Sequence, residues 1–251
     1  MNELVKLVEI VKKLRSPNGC DWDKDQTHES LVPYLLEETY EVIEAIDNKD
    51  YGSLKEELGD LILHVVFQAE LANEKNKFSI EDSIKNVNDK LIDRHPHIFS
   101  NRKDQSWEKG NWELAKQKEK KRNSVLDGVP IALPALLRSR RIQEKAASVG
   151  FDWDNIKQVF KKVEEEVSEL QQALKINKGI DEELGDVLFS IVNLSRHLDI
   201  NPENSLKRSI DKFSLRFKKI ESDLRDKKIN ISDLSLKELD KIWEKNKLKD
   251  D

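Results

Sequence analysis

The sequence predicts an all-α protein built as two tandem four-helix bundles, and three observations carry that prediction. Hydrophobic and charged residues each make up 37% of the 251 residues, with only 8 Gly and 6 Pro, a balance that suits amphipathic helices better than a turn-rich β fold. Apolar residues recur three and four positions apart along the chain. An acidic pattern also occurs twice in one order: Glu37-Glu38-Thr39-Tyr40-Glu41 then Glu57-Leu58-Gly59-Asp60, and Glu165-Glu166-Val167-Ser168-Glu169 then Glu183-Leu184-Gly185-Asp186. Internal duplication explains this more simply than coincidence. It suggests one domain over residues 1–124 and a second over 125–251.

The first helix is marked by Leu4, Leu7, Val8, Val11 and Leu14 at helical spacing, and Ser16-Pro17-Asn18-Gly19 stops it. A loop holding Trp22 and His28 is expected next. Val32-Pro33 opens the second helix, since proline is tolerated in a first turn, with Leu35, Leu36, Val42, Ile43 and Ile46 along one side. Residues 53–75 read as a third helix with Leu58, Leu61, Ile62 and Val65 facing inward. A fourth spans 79–93 and ends before His95-Pro96. A short helix is expected after Trp107 and Trp112, in a polar, lysine-rich stretch. The second unit repeats the plan over 134–148, 155–176, 181–198 and 203–226, with a short helix near 235–247. Its Gly150-Phe151-Asp152-Trp153-Asp154 corresponds loosely to Cys20-Asp21-Trp22-Asp23.

Composition removes several function classes. The formal net charge is -5 and no long basic stripe offsets it, so binding to a nucleic acid polymer would work against the overall field. One cysteine, Cys20, excludes an intrachain disulfide and fits a reducing compartment. Residues 1–15 intersperse charges among their apolar positions, and no run approaches the length of a membrane span. The expectation is a soluble, cytoplasmic protein.

The repeated acids carry the chemistry. On a helix, Glu38 and Glu41 fall about 60° apart, as do Glu57 and Asp60, so each pair presents two carboxylates from one stripe beside an apolar face. Packing two such helices gathers four carboxylates that repel unless cations sit between them. Oxygen-only ligation suits a hard divalent cation, Mg²⁺ above all. Magnesium held by few side chains keeps positions open for phosphate oxygens, which points to a phosphate ester or anhydride. Basic residues recur at matching places to neutralise outer phosphates: Lys90 with Arg94, and Lys212 with Arg216, each pair four residues apart on one helix face. Gly59 and Gly185 stand inside the acidic helices at a cost of roughly 1 kcal/mol each relative to alanine, so close approach by a neighbouring helix is expected, or else by substrate. His64 has Ser190 as its counterpart, which argues for a satisfied polar contact rather than a shared catalytic role. Trp22, Phe151, Trp153 and Trp243 could stack on a base or close off a core.

A P-loop would need G-x-x-x-x-G-K-[ST], and a di-iron bundle would need E-x-x-H ligand pairs. The chain has neither. A helical interaction or adaptor protein whose acids solvate a surface is the remaining alternative, and it should release no pyrophosphate from nucleoside triphosphates.

Longer stretches make the chain recognisable. Leu14-Arg15 through Trp22-Asp23-Lys24, Gln26-Thr27-His28, Leu35-Leu36-Glu37-Glu38, Arg94-His95-Pro96-His97, Asp127-Gly128-Val129-Pro130, Leu133-Pro134-Ala135-Leu136 and Val149-Gly150-Phe151-Asp152-Trp153 together resemble the MazG family of nucleoside triphosphate pyrophosphohydrolases in its two-domain form. The resemblance implies a dimer of helical bundles that cleaves nucleoside triphosphates to monophosphate and pyrophosphate, in nucleotide-pool housekeeping or stress-nucleotide control. By position, Mg²⁺ would be held by Glu38, Glu41, Glu57 and Asp60 in the first unit and by Glu166, Glu169, Glu183 and Asp186 in the second. Glu37 and Glu165 would lie at the edges of these sites, and an acid of the Glu37-Glu38 or Glu165-Glu166 pairs would deprotonate the attacking water. Cys20-Asp21-Trp22 departs from the Cys-Pro-Trp frequent in relatives. Asn193 and Arg196 continue the face that carries Asp186, where the first unit has Phe67 and Glu70. With Trp153 nearby, they make the second unit the better equipped for substrate.

Overall fold

The computed structural model describes residues 2–99 and 123–247. The chain divides into two compact units, residues 1–107 and 108–251, and the described residues of both are helical and contain no strand. The short helix expected after Trp107 and Trp112 lies outside the described residues.

In unit 1, helix α1 (Glu3–Arg15) starts where the Asn2 side chain accepts the Leu4 N–H at 3.1 Å, satisfying one of the unpaired donors of a first turn. Its exit is tight. The Cys20 N–H reaches back to the Leu14 carbonyl at 2.8 Å, and a Cβ on Gly19 would lie 2.0 Å from that same oxygen, so only glycine fits. Where a loop was expected, Asp21–Asp25 forms a one-turn helix, α2, carrying Trp22. The counterpart residues 151–154 in unit 2 are not helical, so this pair of segments is alike in sequence but not in shape.

Helix α3 (Val32–Asn48) has Pro33 in its first turn and ends at Lys49 in the left-handed region, φ 56°. Asp50 caps α4 (Tyr51–Glu74) through the Gly52 and Ser53 N–H groups. Ser79 and Asp82 form a reciprocal capping box at the start of α5 (Ile80–Arg94), and a turn of helix, α6 (Pro96–Phe99), follows. α4 is the hub, packing against α1, α3 and α5. Around it Val8, Val11, Leu31, Val66, Phe67, Leu71 and Ile80 form the core. Arg15 grips Glu74 at 2.6 and 2.8 Å, donates to the Asp23 carbonyl and lies over the Phe67 ring at 5.4 Å, tying α1 and α2 to α4.

Leu31 is 2% exposed and among the largest fully buried side chains. Leu31→Ala should therefore destabilise unit 1 by roughly 2–5 kcal/mol through lost transfer energy and a residual cavity. Urea denaturation monitored in unit 1 checks this, and a loss below about 1 kcal/mol would mean the site collapses around the smaller side chain.

One sequence expectation fails here. Leu58, Ile62 and Val65 do not face inward; with Leu36 and Ile46 they are 45–55% exposed. The buried positions of α4 are instead His64, Val66, Phe67, Ala69, Leu71 and Ala72. Periodicity identified an apolar stripe on α4 but not which of its two apolar sides meets the core. The same bare stripe recurs in unit 2 at the corresponding Leu184, Leu188 and Ile191.

Unit 2 comprises α7 (Ala135–Ala147), α8 (Ile156–Ile176), α9 (Ile180–His197), α10 (Pro202–Asp226), a 3-10 turn (Ile231–Asp233) and α11 (Leu236–Lys247). Asn155 caps α8 and Asn201 caps α10, each by side-chain bonds to two backbone N–H groups. α8 and α9 form an antiparallel pair like α3 and α4, and α9 also packs on α7 and α10. Phe213 stacks on Phe217 and meets Trp243, which seats α11 on α10.

Candidate active site

In unit 1, α3 supplies Glu38 and Glu41 and α4 supplies Glu57, and one oxygen from each lies within 4.8 Å of the others. In unit 2, Glu166 of α8 meets Glu183 and Asp186 of α9 in the same way. Each helical hairpin thus brings three of its four candidate ligands together. The fourth stands just outside, and it differs between the units: Asp60 in the first, Glu169 in the second. Glu37 and Glu165 lie one residue before the converging glutamates, and Glu165 is half-exposed.

The electrostatics are those of carboxylates short of a counter-charge. Burial, then the charges of Asp60 and Glu41, push the Glu38 carboxyl above its ordinary range. Glu57 is raised by desolvation and by Glu41 and Glu56, and Glu169 by desolvation and by Glu166. A divalent cation would relieve that repulsion, and a donor set made only of carboxylate oxygens fits a hard metal ion. Both clusters can hold one.

Unit 2 carries a cation of its own that sequence reasoning missed. Lys162, one turn before Glu166, places Nζ 2.7 Å from Glu165 and 2.8 Å from Glu166, and the two carboxylates hold the ammonium well above its usual range. Lys162 precedes Glu166 by the four residues that put two side chains on one helix face. Unit 1 has Tyr34 at that place, and the difference was readable.

Beside the unit 2 cluster opens a cavity of about 590 Å³ with Lys162, Glu166 and Asp186 at one end. Asp186, Phe189, Ser190, Asn193 and Arg196 line it as one stripe of α9, the i, i+3, i+7 rhythm of a single helix face. Phe151 and Trp153, on either side of Asp152, line it as well. Gln143, on α7, donates through Nε2 to the Phe189 carbonyl at 2.9 Å, which leaves its buried Oε1 with no partner. Of the other predicted substrate contacts, Lys212 is exposed on α10 and Arg216 lies over the Trp243 ring at 6.0 Å. Neither lines the cavity. Lys90 and Arg94 stand one turn apart on α5, both partly buried.

Two further expectations are corrected. Among the described residues, a Cβ at Gly59 or Gly185 would meet nothing within 4 Å, so no described helix crowds either glycine. His64 is not a satisfied polar contact: Nδ1 is buried with no hydrogen bond, and Nε2 stands 4.0 Å from Glu38. Burial lowers its pKa and favours the neutral ring.

This arrangement, two acidic hairpins in one helical chain, is matched in sequence by known proteins. The profile of the MazG nucleotide pyrophosphohydrolase domain fits twice, at residues 26–99 and 155–220, and each match spans one hairpin with its carboxylates. The chain belongs to the MazG family. Among its relatives is a nucleoside triphosphate pyrophosphohydrolase/pyrophosphatase MazG of Thermotoga maritima, 49% identical over 242 residues, or 96% of this chain and 94% of the relative. A nucleoside triphosphate pyrophosphohydrolase of Escherichia coli K12 is 40% identical over 257 residues, 98% of each. A Bacillus subtilis protein of uncharacterised function, YabN, is 41% identical over 95% of this chain but only half of its own length. Full-length similarity across both MazG domains accounts for the duplication seen in the sequence.

Proposed function

We propose that this MazG-family enzyme hydrolyses nucleoside triphosphates to nucleoside monophosphate and pyrophosphate with Mg²⁺, and that unit 2 is its main catalytic site. The observation that carries the reading is the cavity of about 590 Å³ joined at one end to the Glu166, Glu183 and Asp186 triplet. A space of that size suits a nucleotide-sized ligand. Similarity to enzymes named for this reaction supports the same assignment.

Glu166, Glu183 and Asp186 would hold the metal, with Glu169 at the margin; in unit 1 the counterparts are Glu38, Glu41 and Glu57 with Asp60. When bound, Mg²⁺ supplies charge neutralisation at the phosphates and acidifies water. Glu165, half-exposed beside Glu166, would accept the proton of the attacking water, as Glu37 would in unit 1. Water adds to the α-phosphorus, the bridge to the β-phosphate breaks, and pyrophosphate leaves. Lys162 pairs with Glu165 and Glu166 and would offer a positive charge to the phosphate chain. Lys212 and Arg216 sit on α10, which packs beside α9, and would meet phosphate oxygens that reach out of the cavity. Lys90 and Arg94 would do the same in unit 1.

The bare apolar stripes over Leu58, Ile62 and Val65, and over Leu184, Leu188 and Ile191, favour a homodimer that covers them. None of the described helices is long and apolar enough to cross a membrane. We place the enzyme in the cytoplasm, in nucleotide-pool housekeeping or the control of a stress nucleotide. Product analysis decides the reaction: incubation with ATP and Mg²⁺ should yield AMP and pyrophosphate in equal amounts. Release of orthophosphate and ADP instead, or no products, would reject it.

A further inference from the structure

Burial does not hold the Phe151 ring in place. It is 82% exposed, yet it lines the unit 2 cavity together with the stripe of α9 that runs on from Asp186. An exposed aromatic ring at the wall of a nucleotide-sized cavity forgoes the burial that normally places phenylalanine, and a flat π face is what a nucleobase stacks on.

The loop that carries it is bolted down. Gly150 takes a left-handed turn, φ 87°, directly before the ring, a conformation that glycine adopts without strain. Asp152 then accepts from both terminal nitrogens of Arg196, one bond at 2.8 Å, and from the Trp153 N–H at 2.8 Å. His197 Nε2 lies 3.0 Å from the same carboxylate. The Arg196 pairing pulls Asp152 down to about 2, so the latch stays charged at any working pH. Arg196 also donates to Asn193 Oδ1 at 2.8 and 3.1 Å. Its guanidinium is therefore committed to holding this loop and the neighbouring amide. Arg196 and Asp186 share one helix, ten residues or about 15 Å apart along its axis, so the ring is held at a set distance from the metal-binding carboxylates.

We propose that Phe151 is the platform on which the substrate's base stacks, and that the Asp152–Arg196 pair is the positioning device that fixes that platform relative to the carboxylates of α9. The inference rests on unit 2 being a nucleoside triphosphate site, and it adds a base-recognising element contributed from outside the acidic helices.

The test compares ATP with ribose 5-triphosphate, which has the same phosphate chain and no base. Both are assayed with Mg²⁺ in the full chain carrying Glu41→Gln and Glu57→Gln, which silence the unit 1 cluster. Phe151→Ala should lower kcat/KM for ATP by about ten-fold or more, in line with the usual worth of one base–aromatic stack, and leave ribose 5-triphosphate unchanged. Phe151→Trp should restore ATP. Because the ring is exposed, the alanine variant should keep its melting temperature. Arg196→Gln should raise KM for ATP several-fold with kcat held within about two-fold, and act less on ribose 5-triphosphate. Equal losses on both compounds, or no loss on ATP, overturn the stacking role and leave the pyrophosphohydrolase reading intact. If the parent chain cleaves neither compound, that reading fails for unit 2 and this inference falls with it.

Discussion

Asp186→Asn is expected to lower kcat/KM for nucleoside triphosphate hydrolysis by more than about 100-fold in the full chain, while Asp60→Asn leaves most of the activity. The asparagine keeps the shape of the side chain and removes one of three carboxylates that lie within 4.8 Å of one another. Loss of a supporting group around a bound metal already costs about 10- to 100-fold, and loss of a direct ligand costs more. The substitution should not unfold the unit, because Asp186 is exposed and its helix is held by Val187 and Val192. Circular dichroism should show unchanged helicity. Steady-state pyrophosphate release for the two variants checks the assignment. The reverse outcome, with Asp60→Asn dead and Asp186→Asn active, would move catalysis to unit 1.

Withdrawing divalent cations should abolish turnover, and re-adding Mg²⁺ should restore it. The effect should also appear without substrate, as a rise in Tm on adding Mg²⁺ that depends on pH. Glu38 and Glu57 have raised pKa values in the folded chain, so between the ordinary glutamate value and the raised one the folded state holds protons that the unfolded chain has released. The metal-free protein therefore loses stability as pH rises through that window. Mg²⁺ binds only the ionised carboxylates. Its stabilising effect should be small near about pH 4, where glutamates protonate, and reach its full size by neutrality. Differential scanning fluorimetry across that range is decisive. A Tm increment independent of pH would mean that these carboxylates are not the ligands. Glu57→Gln should remove the part of the increment that belongs to unit 1 and leave the rest.

Much of this molecule was legible in its sequence. The helices over 156–176 and 202–226 lie within one or two residues of where apolar spacing put them, because caps such as Asn155 and Asn201 are short-range chemistry written into neighbouring residues. The repeat announced two acidic hairpins, and three acids converge in each. Local pattern failed where the answer lay across the fold. The spacing of Leu58, Ile62 and Val65 is that of a buried face, but α4 meets α1, α3 and α5 and has more apolar surface than those neighbours cover. Gly59 and Gly185 hinted at crowding that their surroundings do not supply. Lys162 was overlooked because one lysine among 44 basic residues stands out only once its carboxylate partners are located.

By itself the sequence determined the helical class, the duplication and the identity of the acids, since each depends on residue type and on separations of a few positions along the chain. Tertiary structure alone decided which three carboxylates of each four converge, that the cavity beside Glu166 belongs to unit 2, and that Arg196 serves Asp152. Those facts depend on how far one helix is turned and slid against the next, and that is set by the packing of side chains distant in the chain rather than by any local run of residues.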